Sequence, residues 1–231
     1  MREPFSPLEV ACVVPAMNEA LVIESVVTSL VSNGFSVLVV DDGSNDGTGE
    51  IASKAGAQVI RHMVNCGQGA ALETGFEAIR RGLLHPKLVV TFDADGQHSV
   101  EDLLSMIEAF NRNKNLQVAL GTRFKDNRSE LPLLKGLLLR TASKLTRFTL
   151  GLKVTDRHNG IRMFKSEALS HLRLTIPGYG HADEILRQIK QFSLVFEEIP
   201  VQIKYSEYSK AKGQPLINAI RIAFDSLIGE K

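Results

Sequence analysis

The sequence predicts one α/β domain whose mostly parallel central sheet is covered by helices on both faces. Three observations predict it. Five short apolar runs within the first 121 residues alternate with helical patterns, the rhythm of parallel strands joined by crossover helices. The 231 residues, 44% hydrophobic and 23% charged, suit one large domain with a real core. The polar clusters gather at the carboxyl ends of three of the runs, where such sheets bind ligands.

The elements follow in order. "VACVVP" (10–15) is a strand, and Glu19 to Ser32 has the spacing of an amphipathic helix. "SVLVV" (36–40) is the second strand, followed by a loop and helix in "DDGSNDGTGEIASKAG". "AQVIRH" (57–62) is the third strand, Gly67 to Leu83 a helix, and "LVVTF" (88–92) the fourth strand. Val100 to Asn111 is a helix and "QVALG" (117–121) the fifth strand. The second half is less regular. "GIRMF" (160–164) reads as a strand, Ala182 to Gln191 as a helix, and 194–205 as extended structure with Pro200 at a bend or edge. From Pro215 to Lys231 the pattern is again helical, with Leu216, Ile220, Ala223, Phe224 and Leu227 on one face.

Bulk properties exclude several classes. A formal net charge of +1 gives no field for nucleic acid. Cys12 and Cys66 lack metal-ligand spacing and fit a reducing compartment as buried or idle thiols. "MREPFSPLEV" has no apolar core of a secretory signal. No stretch reaches the roughly 18 uncharged apolar residues of a membrane span. The nearest, Leu131 to Leu152, is broken by Lys135, Arg140, Lys144 and Arg147. Residues 131–155 hold those four cations, Lys153 and no acid before Asp156. That composition suits either an anionic membrane surface or a core helix with a solvated basic edge.

The chemistry concentrates in "VVTFDADGQH" (89–98), where a buried strand runs into Asp93 and Asp95. Two carboxylates there are costly unless a cation meets them. Alternation along an extended segment would put both side chains on one side. Hard oxygens of this kind, with the Gln97 amide, suit Mg²⁺ or Mn²⁺ shared with phosphate oxygens. Other readings remain open: a turn, or a phosphatase of the haloacid-dehalogenase type that would be phosphorylated on Asp93. An EF-hand fails, because a loop from Asp93 has His98 at its sixth position and one from Asp42 has Ser53 at its twelfth. Asn18 and Glu19 after Pro15 fit a helix cap, and Asp41-Asp42-Gly43 fits a turn. Gly67 and Gly69 resemble a phosphate loop, but they follow the third strand and lack the third glycine of a dinucleotide fingerprint.

Taken jointly and in order, these segments resemble family 2 glycosyltransferases of the GT-A fold. The matching residues are Pro15-Ala-Met-Asn18-Glu19, Asp41-Asp42-Gly43-Ser44, Asn65-Cys-Gly67-Gln-Gly69-Ala70, Asp93-Ala94-Asp95-Gly96-Gln97-His98, Gly121-Thr122-Arg123 and Asp156-Arg-His-Asn-Gly160-Ile-Arg162. The resemblance spans about residues 10–210. It is strongest to polyprenyl-phosphate glycosyltransferases of the dolichol-phosphate mannose synthase type, where Gln also follows the second Asp. It implies an inverting transfer from a UDP- or GDP-linked sugar to a polyprenyl phosphate. A nucleotide-sugar half (10–125) would be followed by an acceptor half (126–210) and the helix 215–231.

The resemblance also implies residue roles. Pro15, Asn18, Glu19, Asp42, Gly69, Asp93 and Ala94 would lie on the nucleotide side. Asp93, Asp95 and Gln97 would hold Mg²⁺ or Mn²⁺. Arg123, Arg140, Asp156, Arg162 and Lys210 would face phosphate or acceptor. A lipid phosphate is already ionised near neutral pH and needs no strong base, whereas a saccharide hydroxyl would, with Asp183 or Glu184 as candidates and His181 close in sequence. Both acids equally suit a helix N-terminus. Many relatives carry C-terminal transmembrane helices that find no counterpart here, so a peripheral position on the cytoplasmic membrane face, or a small membrane-protein partner, is expected. "GYGHADEILRQIK" and "YSEYSKAKGQ" more resemble a bacterial subgroup that makes polyprenyl-phosphate N-acetylhexosamine with such a partner. The rivals are transfer to a soluble or polysaccharide hydroxyl, and a nucleotide-binding scaffold without turnover.

Overall fold

The computed structural model describes residues 3–124, 152–157 and 159–203. Arg140, Lys210, most of the basic stretch 131–153 and the expected helix 215–231 lie outside them. A 3₁₀ turn, Pro7–Glu9, leads into strand β1 (Val10–Ala16). Helix α1 (Ile23–Ser32), β2 (Ser36–Asp41), α2 (Thr48–Lys54), β3 (Gln58–Arg61), α3 (Gln68–Arg80), β4 (Leu88–Thr91), α4 (Val100–Arg112) and β5 (Val118–Thr122) follow. The later elements are β6 (Arg162–Lys165), the short α5 (Ser166–Leu169), α6 (His181–Gln191) and β7 (Phe196–Pro200).

The seven strands form one sheet in the order β3-β2-β1-β4-β6-β5-β7. Neighbours run parallel except at β6, which is antiparallel to both β4 and β5. The expected mostly parallel sheet is therefore present, with β6, from the "GIRMF" segment, inserted against the grain between β4 and β5. β7 closes the sheet as an edge strand and ends on Pro200, a position where a missing N–H disturbs no central ladder.

Alternation along β1 builds both cores. Cys12 and Val14 pack with Ile23, Val27 and Leu30 of α1 and with Leu103, Met106 and Phe110 of α4. Ala11 and Val13 turn to the other face, against Leu72, Phe76 and Ile79 of α3 and Ile185, Leu186 and Ile189 of α6. Burial pushes the Cys12 thiol far above its ordinary range, so it is inert, while Cys66 is exposed.

One close approach fixes how α3 sits on the sheet. A Cβ at Gly75 would stand 2.4 Å from Val13 Cγ1 and 3.4 Å from Val40 Cγ2. Gly75→Ala is expected to destabilise the fold by about 1–3 kcal/mol through overpacking, read as a lower urea midpoint at unchanged slope.

Helix α1 begins at Ile23 and not at Glu19. Asn18 takes a left-handed φ of 54°, and Thr48 and Asp46 of the segment after β2 claim the amides of Glu19 and Ala20. That difference belongs to the site.

Candidate active site

The loops leaving β1, β2, β4 and β5 meet at one rim of the sheet. The first two are stitched together. The Asn18 amide donates to Ser44 Oγ at 2.9 Å, the Asn45 amide to Asn18 Oδ1 at 3.0 Å, and the Glu19 amide to Thr48 Oγ1 at 2.8 Å. Asn18 therefore joins two loops and does not cap α1, whose N-cap is Val22. Pro15 sits within β1 opposite Val40. Glu19 is buried, and its charge acts on Asp95.

Asp42 anchors a third loop. Its Oδ1 accepts from the Cys66 amide at 2.8 Å and meets His62 Nδ1 at 2.7 Å; its Oδ2 accepts from the Gly67 amide at 2.8 Å. His62 Nε2 meets Thr74 Oγ1 at 2.9 Å. Asp42, His62 and Cys66 lie within 4.8 Å of one another. Because the Asp42 oxygens and both His62 nitrogens already have partners, this group reads as a loop tie.

The phosphate-loop likeness of Gly67 and Gly69 is corrected by the structure. The amides of Gly69 and Ala70 donate to the Pro177 carbonyl at 2.7 and 3.2 Å. A Cβ at Gly67 would stand 2.5 Å from Pro177 O, and one at Gly69 2.1 Å from Ile176 O. These glycines admit the 176–178 loop onto the start of α3, and the Gly69 amide is engaged there.

The aspartate pair stands at the end of β4. Alternation along a strand does not bring the two acids together: β4 stops at Thr91, and a turn through Ala94 and Asp95 closes on Gly96 at φ 71°. Ala94 points into the core. Asp93 Oδ1 accepts from Gln68 Nε2 at 3.2 Å, and Oδ2 lies 3.2 Å from His98 Nε2. Asp95 is gripped by Gln97, whose backbone amide reaches Oδ1 at 3.0 Å and whose side-chain amide reaches Oδ2 at 2.6 Å.

The electrostatics of the two acids differ. Burial opposes the Asp93 charge, but the His98 hydrogen bond and the charges of His98, His181 and Arg162 outweigh it and lower its pKa. Asp95 is pushed up to about 6, first by burial and then by the charge of Asp93 beside it. Half-buried beside a second acid, Asp95 forms no ion pair with a lysine or arginine among the described residues. Two carboxylates and an amide are the donor set a hard divalent cation takes, so these residues fit one.

Arginines and their acids complete the rim. Asp156 grips Arg123 as a fork, Nε to Oδ2 at 2.7 Å and Nη2 to Oδ1 at 2.6 Å, with the Arg123 amide on Oδ2 at 3.0 Å. Burial opposes the Asp156 charge and Arg123 outweighs it, so its pKa falls. Glu198 fixes the loop beneath by accepting from the amides of Thr155 and Asp156 at 2.6 and 3.3 Å.

Arg162, expected at the acceptor, is buried. It donates to the carbonyls of Asn159, Ala182 and Arg157 at 3.2, 2.8 and 2.8 Å. Burial lowers its pKa to about 10. It acts as a fixed internal cation whose charge reaches Asp93, and it braces the loop before β6 against α6.

Asp183 and Glu184 are also committed. Asp183 forms a bidentate pair with Arg157. Glu184 accepts from the Thr175 amide at 2.9 Å, the Thr175 hydroxyl at 2.6 Å and the Ile176 amide at 3.1 Å. The helix-start reading of these acids holds in a modified form: they secure neighbouring loops. His181 is buried, with Nδ1 2.8 Å from Gly178 O; burial holds its pKa below the ordinary range.

Two contributors to the site escape sequence reading. The sequence presents Gln68 only as part of a glycine loop, yet it donates to Asp93. Gly160 lies where a Cβ would stand 2.2 Å from Asp93 Oδ2, and only its place in "NGIR" marked it.

With this geometry in view, comparison with known proteins is informative. The sequence pattern of "Glycosyl transferase family 2" matches residues 11–173. The UDP-N-acetylglucosamine--dolichyl-phosphate N-acetylglucosaminyltransferase of Methanococcus voltae is 30% identical, covering 94% of each chain. The polyprenol monophosphomannose synthase of Mycolicibacterium smegmatis is 30% identical over 74% of this chain and 66% of its own. The structure of glucosyl-3-phosphoglycerate synthase from Mycobacterium tuberculosis with Mn²⁺ and UDP-glucose superposes with a TM-score of 0.72 at 21% identity, over 98% of this chain and 82% of that one. That last likeness carries the fold alone. The chain belongs to glycosyltransferase family 2, as an enzyme of the GT-A fold and of the dolichol-phosphate mannose synthase type.

Proposed function

We propose that this enzyme moves a sugar, with inversion, from a nucleoside diphosphate to a polyprenyl phosphate, using Mg²⁺ or Mn²⁺ held by Asp93, Asp95 and Gln97. The observation that carries the reading is the elevated Asp95 beside Asp93 at the carboxyl rim of the parallel strands. A bound divalent cation supplies charge stabilisation on the departing diphosphate. The chain's own residues do the rest. Asp156 presents Arg123 in one orientation toward the phosphates, so the guanidinium is preorganised where negative charge develops. Pro15, Asn18, Glu19 and Asp42 shape the nucleoside side through the stitched loops.

The acceptor assignment draws on the relatives' named substrates and on the commitments of Asp183 and Glu184. Neither carboxylate is left to deprotonate a hydroxyl, and a phosphate monoester with a second pKa of about 6 needs no such base. Were the acceptor a hydroxyl, His181, whose pKa burial holds below the ordinary range, is the candidate to take its proton. No helix among the described residues is long and apolar enough to cross a membrane, and we place the enzyme on the cytoplasmic membrane face by peripheral contact. The split into a nucleotide half, 10–125, and an acceptor half, 126–210, is part of the same proposal.

The test is transfer of labelled sugar from UDP-N-acetylglucosamine and from GDP-mannose to a polyprenyl phosphate. Label is expected in the organic phase, lost with chelator and restored by Mn²⁺. Label that stays in water on a saccharide, or transfer indifferent to chelator, contradicts the reading.

A further inference from the structure

His98 and Asp102 take no part in the steps above, yet both are buried, at 9% and 6% exposure. Each leaves one polar atom without a hydrogen-bond partner among the described residues: His98 Nδ1 and Asp102 Oδ2. Buried polar atoms are nearly always satisfied. Two orphans on side chains four residues apart, at the start of one helix, call for a common explanation.

Their remaining atoms are engaged in a directed way. His98 Nε2 lies 3.2 Å from Asp93 Oδ2, and its ring is wedged against Phe92 with centroids 5.7 Å apart. Asp102 Oδ1 accepts from the Gln202 amide at 3.1 Å, and the Asp102 amide donates to Ser99 Oγ at 3.3 Å, the N-cap of α4. The Asp102 charge acts on the imidazole. The histidine thus stands between two acids, one in the candidate metal site and one clamping the chain beyond β7.

We propose that His98 is a positioning residue for Asp93, and that one buried water joins its Nδ1 to Asp102 Oδ2. Asp93, His98, Asp102 and Gln202 then form one hydrogen-bonded chain. Nε2–H on Oδ2 holds the Asp93 carboxylate in one rotation and keeps its other lone pairs facing the cation. Outer partners of ligating groups act in this way, and two buried polar atoms without partners among the described residues are what a buried water satisfies. The proposal rests on the metal reading of Asp93 and Asp95.

The experiment is Mn²⁺ titration of the full chain, followed by the electron paramagnetic resonance of free Mn²⁺, with whichever of UDP or GDP raises the wild-type Tm. His98→Ala is expected to weaken Mn²⁺ binding about tenfold or more. His98→Gln, which can place an amide near the Nε2 position, recovers most of it. His98→Asn, which reaches only the Nδ1 position, does not. Asp102→Asn keeps an acceptor for Gln202 and weakens Mn²⁺ binding by a smaller factor. If His98→Ala does not fold, the Gln and Asn pair carries the comparison. Wild-type Mn²⁺ affinity in folded His98 variants overturns the proposal, as does equal loss in Gln and Asn tracking equal falls in Tm, the mark of packing alone. No Mn²⁺ binding by the wild type overturns both the metal reading and the proposal, whereas wild-type binding with indifferent variants overturns the proposal alone.

Discussion

Asp95→Asn is expected to cost sugar transfer about 10³-fold or more, because under the proposed function the cation it would help hold would supply several kcal/mol of stabilisation to the leaving diphosphate. The same substitution raises the Tm of the metal-free protein at pH 7–8. The sign follows from the direction of the Asp95 shift. Its folded pKa, about 6, lies above the ordinary carboxylate value. Above pH 6 the group is ionised in both folded and unfolded chains, and its charge burdens only the fold. As pH falls through about 6 the folded protein takes the proton first, so this group's contribution improves until the unfolded chain protonates near pH 4. The gap in Tm between Asp95→Asn and wild type is therefore widest at pH 7–8 and closes by about pH 4. With metal present the dependence reverses, and Mn²⁺ affinity weakens as pH falls through about 6, since protonation competes with the cation. Activity and thermal melts measured on the same preparations check both limbs. A mutant that loses activity and stability together would point to a structural acid.

Gly160→Ala is the second large effect, and it changes no charge. The added Cβ would stand 2.2 Å from Asp93 Oδ2 and 2.8 Å from its Cγ. The backbone has little room to retreat: Thr91 Oγ1 donates to the Gly160 carbonyl at 2.6 Å, and the next amide, Ile161, donates to Asn159 Oδ1 at 3.1 Å. The Asp93 carboxylate has to move instead. A displacement near 1 Å of a group that positions the reaction costs about 100-fold, and that fall in kcat/KM is expected while the protein remains folded by circular dichroism. Mn²⁺ affinity falls with it. Full activity in this variant would mean that Asp93 has no fixed place in the chemistry.

Local pattern made the first half of the fold legible. Each parallel strand from β1 to β5 contains a short apolar run, and all but β3 end at Gly, Pro or Asp chemistry that a sequence displays directly. The pair Asp93 and Asp95 was legible for the same reason, since a buried strand does not run into two acids without cause. What was not legible depends on contacts distant in sequence. "GIRMF" reads as a strand, but its place between β4 and β5 depends on pairing Thr91 with Arg162 across 71 residues. Gly67 and Gly69 carry a phosphate-loop spacing, yet their freedom from side chains serves the 176–178 loop, which approaches from more than 100 residues away. Asp183 and Glu184 sit in the first turn of α6 as dipole chemistry expects, and nothing nearby in sequence announces that Arg157 and Thr175 occupy them. Arg162 looked like a phosphate ligand because an arginine in a polar motif usually faces solvent; three backbone carbonyls make it an interior brace.

The measurement that bears most directly on the central claim is a crystal of this protein grown with Mn²⁺ and its nucleotide, read by anomalous scattering. The account predicts a manganese peak about 2.0–2.3 Å from carboxylate oxygens of the Asp93–Asp95 pair, with a phosphate oxygen on the same ion. A bound nucleotide with no metal there, and Asp93 and Asp95 instead turned onto an arginine or lysine, would contradict it.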